Sequence, residues 1–309
     1  MHATRPERES IPVTTPQPAA FLAVIGANVA LAFGPWFVRM ADTGPVASAF
    51  WRITLAAPVL LGVALASGWR ARGMGRGLWL ALAAAGVAFA ADLGSWHLGI
   101  LRTTLANATL FGNAATLIFP IYGFVIARAL PSRMQAVAFL LALLGAGLLM
   151  GRSYELSPKH LAGDLLSLLA GILYAVYFIV MARARDHLAA MPALALATIA
   201  SIVPLLFFAL ALGERIVPHI WWPLIALAVI SQLVGQGLMI FALGQLSPLI
   251  VGLALLVQPM VSATIGWLAY GERLGAADAV GAALVAAALV LVRQGRAPTP
   301  LAAGARDDQ

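Results

Sequence analysis

Two charged side chains interrupt long apolar runs: Arg52 in AFWRITLAAP and Asp92 in FAADLGSW. Burying either in hydrocarbon costs about 2.5–3.5 kcal/mol on insertion scales, so residues of this kind mark a functional or structural site. Counted at 1.5 Å per residue from the nearest polar break, both sit roughly 10–13 Å below the same surface, so their depths allow them to meet. Such a pair could contact a charged solute or exchange a proton; it could equally be a structural ion pair fixing two helices. His97 follows Asp92 by five residues, about 140° further round a helix. It lies near the expected interface, where an imidazole could titrate or anchor the helix among headgroups.

Neutral polar residues form a second set near mid-span: Asn28, Asn113, Tyr174, Tyr177, Gln232, Gln236 and Gln258. Tyr174 with Tyr177, and Gln232 with Gln236, have the spacing of residues on one helix face. Amides and phenols can hydrogen-bond a zwitterionic or hydroxylated solute without the desolvation cost of a fixed charge. The same groups also serve to join helices within a bilayer. Their recurrence at one depth in both halves of the chain favours a lined cavity. Trp51 adjoins Arg52 and Trp96 lies one turn beyond Asp92, where either could stack on a ligand; the other tryptophans read mainly as interfacial anchors. Pro35, Pro58, Pro120, Pro204 and Pro259 free backbone carbonyls within or near helices, as hinges or as ordinary kinks.

These residues need helices that cross a membrane to position them. The 309-residue chain is 62% apolar and 10% charged, whereas a soluble domain is roughly a quarter charged. Apolar runs of about 20 residues recur along the whole sequence and have no place except lipid. The runs predict helices near 19–38, 45–67, 78–98, 104–127, 134–151, 161–182, 193–212, 221–243, 247–270 and 276–293. Residues 1–18 and 294–309 read as polar tails, and Glu7 and Glu9 argue against a cleaved signal peptide. Short connections make consecutive helices antiparallel neighbours.

Orientation follows from the basic residues. Twelve Arg fall on the side of both termini and six Lys or Arg on the other, with Arg52 inside a span. Both termini are therefore expected in the cytoplasm. The net charge of +7 forms no stripe or cluster, so nucleic acid is not an expected partner; a bilayer and a small solute are. A monomer or a homodimer is expected.

An offset of 143 residues lays the first five helices on the last five without a gap, pairing Trp79 with Trp222, Gly94 with Gly237 and Gly123 with Gly266. Five is odd, so the second copy must enter the membrane from the opposite side. The fold class expected is all-α integral membrane, ten transmembrane helices arranged as two inverted-topology five-helix repeats over 19–152 and 161–293. Inverted repeats characterise alternating-access carriers, whose solute site lies near the midplane between the copies.

Several stretches resemble the drug/metabolite transporter (DMT) superfamily, specifically bacterial carriers built from two EamA-type domains. Ser95 to Asn113 (SWHLGILRTTLANATLFGN) resembles the junction of helices three and four in the first domain. Gln232 to Gly237 (QLVGQG) and Gln258-Pro259 through Tyr270-Gly271-Glu272-Arg273-Leu274 resemble helices eight and nine of the second. The first copy departs from this pattern: Ala129 stands opposite Glu272, and Thr116 opposite Pro259 with Pro120 one turn later. The resemblance implies a ten-helix metabolite carrier without an ATPase module, often working outward.

The sequence contains no cysteine, which excludes disulfides and thiolate chemistry. A phosphate-binding GxxxxGK[ST] loop and an HExxH pair are absent as well, so no cofactor is expected and an enzyme is not. The expected function is secondary-active transport of a small polar metabolite or amino acid, coupled to protons or to exchange. A channel or membrane scaffold subunit is the alternative, with a membrane-embedded enzyme behind it.

Overall fold

The computed structural model describes residues 18–103, 108, 111–128, 130–151, 158–270 and 275–294. The two expected tails lie almost wholly outside these residues. Ala129, Arg152 and the Gly271 to Leu274 motif, with Glu272, are outside them too.

The described residues are helical, with no strand among them. Their order is α1 (Pro18–Ala32), α2 (Gly34–Met40), α3 (Pro45–Ala66), α4 (Arg76–Ile100), α5 (Ala115–Ala127) and α6 (Arg133–Gly151). After these come α7 (Leu161–Ala184), α8 (Ala190–Ala211), α9 (Trp222–Leu243), α10 (Pro248–Ala254), α11 (Val257–Tyr270) and α12 (Ala276–Gln294). Six helices are long and apolar enough to cross a membrane, taking α1 and α2 together as one of them: 18–40, α3, α4, α7, α8 and α9. The other apolar helices, in the regions of α5, α6, α10–α11 and α12, are shorter.

Three expected helices are interrupted, each for a local reason. Between α1 and α2 the chain turns at Phe33, just before Gly34-Pro35, where Pro35 cannot donate to the Leu31 carbonyl. Before α5, Gly112-Asn113 leads into a turn, with Thr116 N bonded to Asn113 O at 2.9 Å. Between α10 and α11, three-residue bonds from Leu256 N to Leu253 O and from Gln258 N to Leu255 O tighten the backbone ahead of Pro259. The long helix α9 is continuous, but Leu227–Gln236 has π-helical winding.

Large apolar side chains face outward: Leu22, Val203, Phe207 and Leu268 are each at least 70% exposed. The interior is rich in alanine instead. That inversion suits a bilayer, where small residues let helices approach and bulky ones meet lipid. At the α4–α8 crossing, a Cβ on Gly86 would lie 2.6 Å from the Ala197 carbonyl oxygen, and Ser201 Oγ donates to the Gly86 carbonyl at 2.8 Å.

Packing pairs helices from the two halves of the chain. The main contacts join α4 to α7 and α8, α1 to α9 and α11, α3 to α8 and α9, α5 to α7 and α10, and α6 to α12. Connections sort to two ends of the bundle. At one end His97 meets Pro45, and Thr103 Oγ1 donates to Asp164 Oδ1 at 2.5 Å. At the other, Arg183 Nε donates to the Tyr122 hydroxyl at 2.9 Å and Arg185 Nε to the Ile240 carbonyl at 3.0 Å.

The first end also carries a polar latch between the segment before α3 and the segment after α8. Glu214 accepts from Val46 N at 3.3 Å and from Ala47 N at 2.7 Å, so its carboxylate caps the α3 N-terminus from the other half of the chain. The glutamate folds directly over Gly44, where any Cβ would collide with it. Gly44 N donates to Arg215 O, and Asp42 accepts from His219 N at 2.8 Å and Ile220 N at 3.3 Å. The His219 amide holds the exposed Asp42 carboxyl below its ordinary pKa. Its contribution to stability is therefore present at neutral pH and is lost as pH falls through that lowered value. Glu214→Ala removes two charge-assisted bonds at a helix N-terminus, a loss of about 1–2 kcal/mol. A melt of the purified protein in detergent should show a lower Tm for Glu214→Ala and a smaller drop for Glu214→Gln, which keeps an acceptor; an unchanged melt for Glu214→Ala would mean the latch contributes nothing.

Candidate functional site

The three interruptions and the π-helical turn converge on one cavity. Leu31, Gly34 and Pro35 face it from the α1–α2 break, Gly112 and Asn113 from the turn before α5, Leu255, Gln258 and Pro259 from the α10–α11 break, and Leu227 and Gln236 from α9. Broken helices at a membrane site turn backbone polar groups toward a cavity, the one place where such groups are tolerated in a bilayer. The cavity offers about 110 Å³ to water, far more than the roughly 10–15 Å³ that one water needs. A small solute can occupy it.

Arg52 and Asp92 both line this space, from α3 and α4. The Arg52 guanidinium donates from Nε to Gln232 Oε1 at 3.1 Å and lies 5.8 Å from the centre of the Phe89 ring. Asp92 feels the Arg52 charge, but among the described residues no ion-pair contact within 4.0 Å joins them. The carboxylate accepts no hydrogen bond from any described residue and is only 8% exposed. The two opposite charges therefore border one cavity without closing into a salt bridge.

Aromatic rings form the wall beside them. Tyr174 stacks with Phe89 at 6.3 Å and with Tyr177 at 6.1 Å, and its hydroxyl accepts from Gln236 Nε2 at 3.1 Å. Trp96 and His97 complete the upper wall, their rings 5.2 Å apart. His97 is 1% exposed and lies near the Pro45 backbone, so its ring is enclosed by protein. Its Nδ1 and the Gln236 Oε1 find no hydrogen-bond partner among the described residues.

Four expected residues do not line the cavity. Gln232 stands behind Arg52, bridging it to Thr198 Oγ1 at 3.1 Å. Asn28 stands behind Gln258, accepting from its Nε2 at 2.8 Å and donating to the Val24 carbonyl. Tyr177 is wholly buried against Phe89, with ring centres 4.5 Å apart. Trp51 points away from the site altogether: its Nε1 donates to the Ile216 carbonyl at 2.7 Å and its ring meets Trp221, so it serves the latch. Adjacent residues on a helix differ by about 100°, and Trp51 cannot face where Arg52 faces.

Phe89 and Thr198 were not among the expected residues. A phenylalanine in a helix that is apolar on every face carries no periodic signal separating cavity from lipid. Thr198 gains its role only through Gln232, which sequence spacing does not reveal.

The arrangement presents a guanidinium, a carboxylate, three amides and aromatic faces to one cavity. It can hold a small solute bearing both charge signs or several hydrogen-bonding groups.

Residues 161–294 match the EamA-like transporter family. No curated protein matches the chain. One solved structure, described only as a crystal structure of a protein, shares the fold with a TM-score of 0.73 at 14% identity, covering 89% of this chain and 96% of its own. With its apolar helices, the second half of this membrane chain is thus similar to an EamA-like transporter domain, in keeping with the resemblance to the DMT superfamily.

Proposed function

We propose that the protein is a secondary-active carrier of a small polar, amino-acid-like solute, working by alternating access with both termini in the cytoplasm of a bacterial cell. The observation that carries this reading is a cavity lined by polar residues from both halves of the chain. Ten spans in two inverted five-helix repeats, 19–152 and 161–293, position it.

The packing supports the repeat. Under the 143-residue offset, α1 corresponds to α7, α3 to α8, α4 to α9, the α5 region to α10–α11 and α6 to α12. Exchanging partners accordingly turns α4–α7 into α9–α1, α4–α8 into α9–α3, and α5–α7 into α11–α1, all of which occur. The remaining pairs, α3–α8, α5–α10 and α6–α12, map onto themselves. The turn at 113–114 falls on 256–257, at the second broken helix. Connections on each face of the expected topology also gather at one end of the bundle, as odd-numbered repeats require.

Two similar halves around one cavity can exchange conformations, each opening the site to one side. Export is the direction proposed, with proton or solute exchange supplying the drive. In proteoliposomes loaded with an amino-acid mixture, labelled solute should enter by saturable counterflow. Linear, non-saturating flux with unitary conductance in a planar bilayer would make it a channel and end this reading.

A further inference from the structure

We infer that the Asp92 end of the cavity is a primary-ammonium site, selective for N–H donors over fully methylated nitrogen. The inference takes the cavity to be the solute site of the proposed carrier and names the group it recognises.

Hydrogen-bonding capacity around the cavity is unevenly spent. Asp92 accepts no hydrogen bond from the described residues although it faces the cavity at 8% exposure. Gln236 uses its Nε2 on Tyr174, which leaves Oε1 as an unpartnered acceptor on a side chain 1% exposed. His97 is equally buried, and its Nδ1 finds no partner among the described residues; in the neutral tautomer protonated at Nε2 that nitrogen is an acceptor. Three side chains on the cavity wall therefore offer acceptors that no protein donor meets. Buried acceptors without partners are costly, and a ligand that supplies donors recovers that cost.

The donor side is Arg52, whose Nε is committed to Gln232 while the guanidinium carries further N–H groups. A zwitterion with its carboxylate toward Arg52 and its nitrogen toward Asp92 matches both ends in charge. A primary ammonium brings three N–H donors, one for each of these side chains. A trimethylammonium brings the same charge but no donor. The rings of Phe89, Tyr174 and Trp96 would attract either cation, so aromatic contact cannot discriminate between them and the acceptors must.

The test uses the purified full chain in nanodiscs. Matched probes are leucine with N,N,N-trimethyl-leucine, 2-phenylethylamine with its N,N,N-trimethyl derivative, and 4-methylvalerate as leucine without nitrogen. Calorimetric titration should give the primary members at least about tenfold higher affinity than their trimethyl partners, with no binding of 4-methylvalerate. Gln236→Met should weaken binding of the primary members more than that of their trimethyl partners and narrow the ratio to within about threefold. Equal or tighter binding of the trimethyl members, or no binding of any primary member up to about 10 mM, overturns the inference. Counterflow in vesicles separates the two readings. Saturable flux blind to N-methylation would leave the carrier and remove the ammonium site. Selective binding without flux would do the reverse.

Discussion

Arg52→Met is expected to abolish transport and to lower the yield and Tm of the folded protein. Arg52 is the positive charge that the Asp92 carboxylate faces across the cavity, and both are almost fully buried. Removing one member of a buried charge pair leaves the other uncompensated, a loss of about 3–5 kcal/mol. Gln232 Oε1 would also lose its donor, adding about 1–3 kcal/mol unless the amide turns over. The double variant Arg52→Met, Asp92→Asn removes both charges together and should recover most of the lost Tm. It should still fail in counterflow, because the charged groups proposed to grip the solute are gone. A full double-mutant cycle in Tm reports the coupling directly. Additive effects of the two single changes would mean that the residues do not interact, and a double variant that transports normally would remove both from the site.

Much of the scaffold is legible in the sequence because hydrocarbon imposes a length and a composition on every crossing helix. The expected helices at 45–67, 78–98 and 161–182 lie within two residues of α3, α4 and α7 at each end. The interruptions are less visible. Pro35 and Pro259 mark them as possible kinks, yet Pro58 and Pro204 sit inside unbroken α3 and α8. Whether a proline bends a helix or ends it depends on the neighbours that re-satisfy the freed carbonyl, and sequence spacing does not identify those neighbours.

For the site, depth is readable and direction is not. Arg52, Asp92, Trp96, His97, Asn113, Tyr174, Gln236 and Gln258 all line the cavity, because a polar group in an apolar run has few stable alternatives. Gln232 and Gln236 share a predicted depth and face, but one grips Arg52 from behind while the other reaches Tyr174. Their separation arises in the π-helical stretch Leu227–Gln236, where four-residue spacing no longer has its α-helical meaning. Asn28 is likewise indistinguishable from a lining residue until its bond to Gln258 places it one layer back.

Asp92→Asn should make solute binding independent of pH and uncouple transport from a proton gradient. The Asp92 carboxylate can be filled by a proton or matched by the charge of a bound cation, but not by both. As pH falls through its titration, protonation removes the charge that attracts the solute, so the apparent Kd rises about tenfold per pH unit on the acid side. An amide cannot titrate, and the same plot for Asp92→Asn should be flat at a weaker affinity. His97, Tyr174 and Arg52, the other titratable groups lining the cavity, are kept intact in that variant, and His97 serves as the internal control. Uptake driven by an imposed pH gradient should fall to the level of empty vesicles in Asp92→Asn, while Tm changes less than for Arg52→Met because Arg52 keeps Gln232 and Phe89 as partners. If Asp92→Asn keeps the full pH dependence of uptake, the coupling proton sits elsewhere and His97→Gln becomes the variant that should flatten the profile.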